Sequence, residues 1–406
     1  MVRLDRPWQE TPFSAQGLLL LTDEEVVQVQ QHCREVFIDP TRGEDISLPS
    51  ENSAPAETAL PPAQSDLTTP PAPRTGVAKH APWPYQATLE EEIGPAFDLH
   101  RNTRAVIEDI LRDVRLGKSI DSPAAKEMVA ELAESVIRNP DALTFLTQLR
   151  VKDEYLTFHS LNVCIFSLVF GRHIGLSKDD LRALGLGALL HDVGYIKLPI
   201  DLFKKPGRLT REEFDLIRTH VAEGVAVVTS TPDIPPGALE VVQDHHERAD
   251  GSGYPRGLRG KAIGLFGMAV GILDNYDAIT TDRPWRSGFT AYDALRNIYQ
   301  RRDKEFDENL VLQFIQCIGI YPVGSLVELS TGDIAVIVAS HPRYRLLPKV
   351  RLLLDRDGQR YGTPITVDLL HQQASANVQP IKIKMAVHAS RHGVTALDLA
   401  AATLQA

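Results

Sequence analysis

Cysteine is scarce in this chain: among 406 residues only Cys33, Cys164 and Cys317 carry thiols, and no Cys-x-x-Cys pair occurs. Three scattered thiols cannot build a disulfide framework and read as reduced residues of a cytosolic protein. Long apolar runs are missing as well. The longest, such as 161–170, are interrupted and fall far short of the about 20 residues that a membrane span requires. Positive charge is in deficit, because 43 Lys and Arg stand against 53 Asp and Glu for a net charge of -10. That balance excludes a general nucleic-acid binder and leaves any phosphate recognition to local groups. The start, Met1-Val2-Arg3-Leu4-Asp5-Arg6, is charged where a signal peptide has its apolar core, so a cytoplasmic location is expected. Neither a Gly-x-Ser-x-Gly elbow nor a Walker A loop is found, which removes two common catalytic devices.

What is present belongs to a globular protein of two or three units, with 43% hydrophobic and 24% charged residues. Residues 1–40 read as a small α/β accessory unit, with strands at 2–4, 18–21 and 36–38 and a helix opened by Thr22 or Asp23. From 41 to 86 the composition turns to Pro, Ala, Ser and Thr, as in Leu60-Pro61-Pro62-Ala63 and Thr69-Pro70-Pro71-Ala72-Pro73. Such a stretch cannot bury enough apolar surface to offset its ordering entropy, and is expected to be a linker. Helical periodicity then governs 87–152, a lead-in, and 153–318, where Ser177 and the Thr210/Glu213 capping pattern mark helix starts. Past Tyr321-Pro322 the pattern becomes strand-like, predicting a hairpin about the Ser330-Thr331-Gly332-Asp333 turn and a further strand near 350–354. The expected fold class is mainly α, with a β extension over 319–370 and a tail over 371–406 to which the pattern assigns no role.

The chemistry gathers in the helical middle. His191-Asp192 ends an apolar helix, where one nitrogen and one carboxylate entering a core need a partner such as a metal. His159 lies on an amphipathic helix with Val163 and Phe166, and His220 shares a face with Ile217 and Gly224. Either histidine alone is more often a satisfied core residue than a ligand. His245-His246 ends another apolar helix, and because neighbouring helical side chains diverge by about 100° both can face one site only near a terminus or through different metals. Asp274 sits inside an apolar helix and needs a cation or strong donors, whereas Asp277 reads as structural, holding Arg283 or the helix end.

This mixture of N and O ligands suits two iron or manganese ions better than a structural zinc site, with Asp192 able to bridge them. A hydroxide between two such cations attacks phosphorus in line and needs no Ser or Cys nucleophile. Asp250-Gly251-Ser252-Gly253-Tyr254-Pro255 is a constrained loop right after the histidine pair. It is either a plain turn or a device that brings Tyr254 and backbone N–H groups to the metals. Arg283 and Arg286 read as phosphate clamps or as a solvated pair.

These motifs resemble the HD-GYP family, the branch of the HD phosphohydrolases that degrades cyclic di-GMP. The resemblance runs from Asp153-Glu154-Tyr155 with His159-Ser160 through His191-Asp192, Lys205-Pro206-Gly207, His220, His245-His246-Glu247-Arg248 and the Asp250-Gly251-Ser252-Gly253-Tyr254-Pro255 loop to Asp274 and Asp282-Arg283-Pro284. It implies an HD-type helical catalytic domain that cuts cyclic di-GMP to pGpG and then GMP. It also implies His159, His191, Asp192, His220, His245, His246 and Asp274 as metal ligands, His191 and Asp192 as the catalytic pair, and Tyr195, Gly253, Tyr254, Pro255, Arg283 and Arg286 around the substrate. Signalling partners of the diguanylate-cyclase type at the GYP loop, and a homo-oligomer, fit the same resemblance. Leu4-Asp5-Arg6-Pro7-Trp8 resembles the small domain of unknown function that precedes some members, and Tyr321-Pro322-Val323-Gly324-Ser325 their β extension. Two positions depart from the family pattern. Tyr155 stands where members with three metals carry Glu, which favours two metals, and Tyr195 replaces the lysine of His-Asp-x-Gly-Lys. A non-catalytic cyclic di-GMP sensor and a hydrolase of another cyclic dinucleotide remain the alternatives.

Overall fold

The computed structural model describes 83–148, 155–199, 209–282, 287–341, 346–372, 380–395 and 398–399, a few residues between these stretches, and two short strands near the N-terminus. Those strands, β1 (Arg3–Leu4) and β2 (Val36–Phe37), pair antiparallel with Arg3 opposite Phe37, as the outer strands of the expected N-terminal unit. The strand and helix expected between them, and most of the Pro-rich stretch, lie outside the described residues. The chain divides into two compact units, Met1–Ala72 and Pro73–Ala406, and the site belongs to the second.

Contacts of this second unit begin before its first helix. Arg172 Nη2 donates to the Trp83 carbonyl at 2.6 Å, its guanidinium lies 5.3 Å from the Tyr85 ring centre, and the Gln86 N–H donates to the Arg138 carbonyl at 2.9 Å. Packing therefore starts inside 41–86, because Trp83 and Tyr85 offer an arginine the surfaces that Pro and Ala lack.

Helix α1 (Leu89–Arg115) opens on a Thr88/Glu91 capping box, α2 (Ser122–Arg138) on Asp121 and α3 (Pro140–Leu146) on Asn139, each side chain accepting from a first-turn N–H. Helix α4 (Tyr155–His173) is buried continuously from Thr157 to Gly171, which marks it as the central rod of the domain. Helix α5 (Lys178–Leu190) follows from the predicted Ser177 cap, and a 3-10 turn spans Val193–Lys197. The predicted Thr210/Glu213 capping box opens α6 (Arg211–Arg218), and α7 (His220–Thr229), α8 (Pro236–Asp244), α9 (Leu265–Thr280), α10 (Ala291–Gln300) and α11 (Glu308–Ile318) complete the helical body. Helices α1, α2, α5, α9 and α11 all pack on α4.

Two glycines set the geometry that the site needs. A Cβ on Gly187 would come within 2.7 Å of the Val241 Cβ, so its absence lets α5 and α8 run in close contact. Their C-terminal ends, carrying His191 and His245, meet as a result. Gly194 has no room for a Cβ against the His220 carbonyl and the Gly224 nitrogen, which seats the turn after Asp192 directly on α7.

The C-terminal strands form an antiparallel sheet of order β6-β5-β4-β3-β7, with β3 (Leu326–Leu329), β4 (Ile334–Ala339), β5 (Lys349–Leu354), β6 (Arg360–Asp368) and β7 (Ile383–Val387). The β3–β4 hairpin and β5 lie where the sequence predicts them. The extension does not stop at 370, however. Strand β7 comes from the expected tail and pairs with β3, Leu326 opposite Val387, while Val394 and Leu399 enter the apolar core with Leu326, Val336 and Leu354. The alternating Ile-Lys pattern of 381–384 conceals an edge strand, whose Lys384 reaches Glu328 at 2.6 Å. No described helix is long and apolar enough to cross a membrane.

Candidate metal centre

All seven expected ligands converge. The His191 and His245 ring centres are 5.0 Å apart, His159 and His191 5.3 Å, His220 and His246 5.0 Å, and His245 and His246 4.2 Å. Asp192 lies among them and is 4% exposed, with its two oxygens facing different partners. Oδ2 is 3.3 Å from His191 Nε2 and 3.6 Å from His159 Nε2, while Oδ1 is 3.4 Å from His220 Nε2 and 3.6 Å from His245 Nε2. Asp274 repeats the division, with Oδ1 at 3.0 Å from His159 Nε2 and Oδ2 at 3.9 Å from His246 Nδ1. Two ligand groups result, His159 with His191 and Asp192, and Asp192 with His220, His245 and His246. They share Asp192.

The histidine tautomers are set by the helix ends that carry them. His191 Nδ1 donates to the Ala188 carbonyl at 2.8 Å, His220 Nδ1 to Ile217 at 2.7 Å and His245 Nδ1 to Val241 at 3.1 Å. Each ring thus turns Nε2 toward the cluster as an acceptor, the orientation that metal-bound histidines take from their outer partners. His159 Nδ1 instead faces Asp277 Oδ2 at 2.7 Å, and Asn162 donates to the other oxygen of Asp277 at 3.0 Å. Asp277, expected to hold Arg283 or the helix end, turns its carboxylate to a ligand histidine instead, while Arg283 lies outside the described residues.

A divalent metal fits these residues. His191 Nε2, His246 Nε2 and Asp192 Oδ1 are buried without a hydrogen-bond partner, and polar atoms in that condition call for a cation. Burial drives His220 down to about 4, and burial followed by the neighbouring His245 takes His246 well below its ordinary value, so both rings are neutral as ligands must be. Burial works against charge on Asp192, but His191, His245 and His220 outweigh it and hold the carboxylate well below the usual range.

Three tyrosines lie on three of these histidines. Tyr155 stacks on His159 at 5.2 Å and 12°, Tyr195 on His220 at 4.0 Å and 13°, and Tyr254 on His246 at 4.6 Å and 29°. Burial, then Asp192, keeps the Tyr195 phenol well above its ordinary value, so it is a neutral donor. Lys197, a candidate stand-in for the missing lysine, donates to the Val114 carbonyl at 3.1 Å. Arg283 and Arg286 lie outside the described residues.

The GYP loop folds back on its own histidine. Tyr254 N–H donates to the His246 carbonyl at 3.2 Å, Gly251 N–H to the Arg248 carbonyl at 2.7 Å and Ser252 N–H to Asp250 Oδ1 at 2.9 Å. These N–H groups are therefore engaged within the loop as in a plain turn, and of the alternative reading only Tyr254 reaches the cluster, by its stack on His246. Gly253 must lack a Cβ, which would overlap the His246 carbonyl and the Arg248 nitrogen, and Pro255 follows it into the turn. Sequence reasoning missed Glu247. This residue is 3% exposed and accepts from the N–H groups of Arg256 at 2.7 Å and Leu258 at 2.9 Å, closing the loop from beneath. Its signal was a carboxylate between buried histidines and a Gly-rich turn. Glu247→Ala is expected to lower stability by roughly 1–3 kcal/mol, the penalty of an unsatisfied buried donor, and to slow turnover while metal content holds. Unchanged melting and turnover would show that the loop needs no such anchor.

Comparison with known proteins places these elements in one frame. The HD domain model matches 142–310, a domain of unknown function (DUF3391) matches 1–125, and a KOW domain associated with HD domain matches 326–384. The chain is 36% identical over 347 residues to a cyclic di-GMP phosphodiesterase of Pseudomonas aeruginosa, covering 85% of this chain and 80% of that protein. It is 38% identical over 140 residues to a cyclic di-GMP phosphodiesterase response regulator of Xanthomonas campestris pv. campestris, 34% of this chain and 37% of the other. A 3'3'-cGAMP-specific phosphodiesterase of Vibrio cholerae is 33% identical over 142 residues, 34% of this chain and 32% of the other.

Proposed function

We propose, from the premise that this chain belongs to the HD-GYP family of metal-dependent HD phosphohydrolases, that it hydrolyses cyclic di-GMP to pGpG and then to GMP. The observation that carries the proposal is Asp192, whose two oxygens each face a different pair of histidine Nε2 atoms. A sensor that only binds ligand would have no use for that division.

Two divalent ions, iron or manganese by the mixed N and O donors, supply the nucleophile and neutralise the phosphate oxygens when bound. His159, His191 and Asp192 would hold one ion and Asp192, His220, His245 and His246 the other, with Asp274, whose oxygens face His159 and His246, as a further ligand. Tyr195 donates its neutral O–H toward a phosphate oxygen, and Tyr254, shaped by Gly253 and Pro255, walls the entrance beside His246. Arg283 and Arg286 act as phosphate clamps.

Two metals per chain is the expected result of metal analysis on anaerobically purified protein, since Tyr155 stacks on His159 and supplies no carboxylate for a third. A reproducible three per chain, or full activity in strong chelator, would overturn the count or the site. The activity itself is tested by incubating iron- or manganese-loaded protein with cyclic di-GMP and separating the products by chromatography. Intact substrate after exhaustive incubation would refute it.

A further inference from the structure

Helix α6 buries none of its residues, and its Phe214 ring is 46% exposed. Phe214 and Arg218 stand one turn apart on this helix and both reach the GYP loop. The Phe214 ring is edge-on to Tyr254 at 6.3 Å and 82°, while the Arg218 guanidinium carbon lies 4.6 Å from the Tyr254 ring centre and 5.9 Å from that of Phe214. Tyr254 in turn stacks on His246. An exposed aromatic ring and a guanidinium thus sit one ring away from the metal centre. The charged neighbour of Arg218 is Asp215 at 3.6 Å, beyond hydrogen-bond reach and 58% exposed. Among the described residues no hydrogen bond holds this guanidinium, so its donors are open to a ligand.

An aromatic face stacks on any nucleobase and does not choose between them. A guanidinium does choose, because its fork donates to the O6 and N7 acceptors of guanine, whereas adenine places its N6 amino donor where O6 would be. We infer that Phe214 and Arg218 form a guanine subsite at the mouth of the centre, Phe214 stacking the base and Arg218 reading O6 and N7. This rests on the cyclic dinucleotide reading above and extends it to base selectivity, which the metal centre itself has no means to provide.

The test compares wild type, Arg218→Ala, Arg218→Lys and Phe214→Ala as metal-loaded full chains on cyclic di-GMP and cyclic di-AMP, with binding of GMP and AMP followed by calorimetry. Wild type is expected to prefer the guanine compounds in both assays. Arg218→Ala is expected to cut kcat/KM for cyclic di-GMP by about 5- to 150-fold, the discrimination of one bidentate pair, and so collapse the ratio to cyclic di-AMP, with metal content unchanged. Arg218→Lys keeps the charge but not the fork, and should not restore the ratio. Phe214→Ala should weaken both dinucleotides alike. Equal losses on both substrates in Arg218→Ala would overturn the inference by assigning this residue to phosphate, as would a wild type indifferent to the base. Bis(p-nitrophenyl) phosphate separates the two levels. If wild type cuts it but neither dinucleotide, the substrate reading fails, while a GMP preference lost in Arg218→Ala still upholds the subsite.

Discussion

Asp192→Ala should abolish turnover of cyclic di-GMP, with a loss beyond the about 100-fold that removing a mere outer partner of a metal ligand produces. The reason is geometric. This carboxylate is the one member of both ligand groups, lying within 3.6 Å of His159, His191, His220 and His245. Its removal takes a ligand from both groups at once, whereas His191→Ala removes a ligand from one. Metal analysis should show binding lowered in both variants and more so in Asp192→Ala, while far-UV circular dichroism stays helical because the apolar packing of α4 and α5 is untouched. Wild-type turnover in Asp192→Ala would mean that the chemistry lies elsewhere.

The second large effect concerns Tyr195. A lysine here would bring a positive charge to the phosphate, and a charge-assisted hydrogen bond is about twice as strong as the neutral one a phenol can make. Lys197 donates to the Val114 carbonyl, so unless the Arg283 and Arg286 clamps supply the charge instead, the linear product with its extra charge is held less firmly for a second cut. Wild type is expected to accumulate pGpG before GMP appears. Tyr195→Lys should quicken the second cut more than the first, by about 10-fold if the added bond is worth roughly 1.4 kcal/mol. The substitution also removes the ring stacked on His220, so metal content must be measured alongside. Direct conversion to GMP by wild type, with no gain in the variant, would show the tyrosine to be a neutral replacement.

Much of the site could be read from the chain because its ligands mark themselves as polar residues at the ends of apolar helices. His191-Asp192 after Leu189-Leu190 and His245-His246 after Val241-Val242 are of this kind, and adjacent histidines can face one site near a terminus or through different metals. His245 lies at a terminus, just past α8. What escaped reading depended on distant partners. The role of Glu247 lies in two backbone N–H groups up to eleven residues away, and the hold of Asp277 on His159 spans 118 residues. Strand β7 escaped for another reason. It is an edge strand with three of its five residues at least partly buried, so its pattern resembled a polar tail.

The hydrogen bonds that fix each Nδ1 have a further consequence, for the exchange of protons against metal. Burial opposes charge on His159 and His191, but Tyr155 with Asp274 and Asp277 in the first case, and Asp192 in the second, raise both rings above the ordinary value of 6.5. Without metal, protons on these rings neutralise the carboxylates. A raised histidine stabilises the fold fully below its unfolded value and ceases to do so as pH rises through the folded one. The metal-free protein should therefore lose stability as pH climbs above about 6.5, the very range in which cations compete best for the same nitrogens. Each ion that enters displaces the Nε2 protons of His159 and His191, which face Asp192 and Asp274, while the Nδ1 protons stay on their partners, so loading should acidify an unbuffered solution without having to fold the chain.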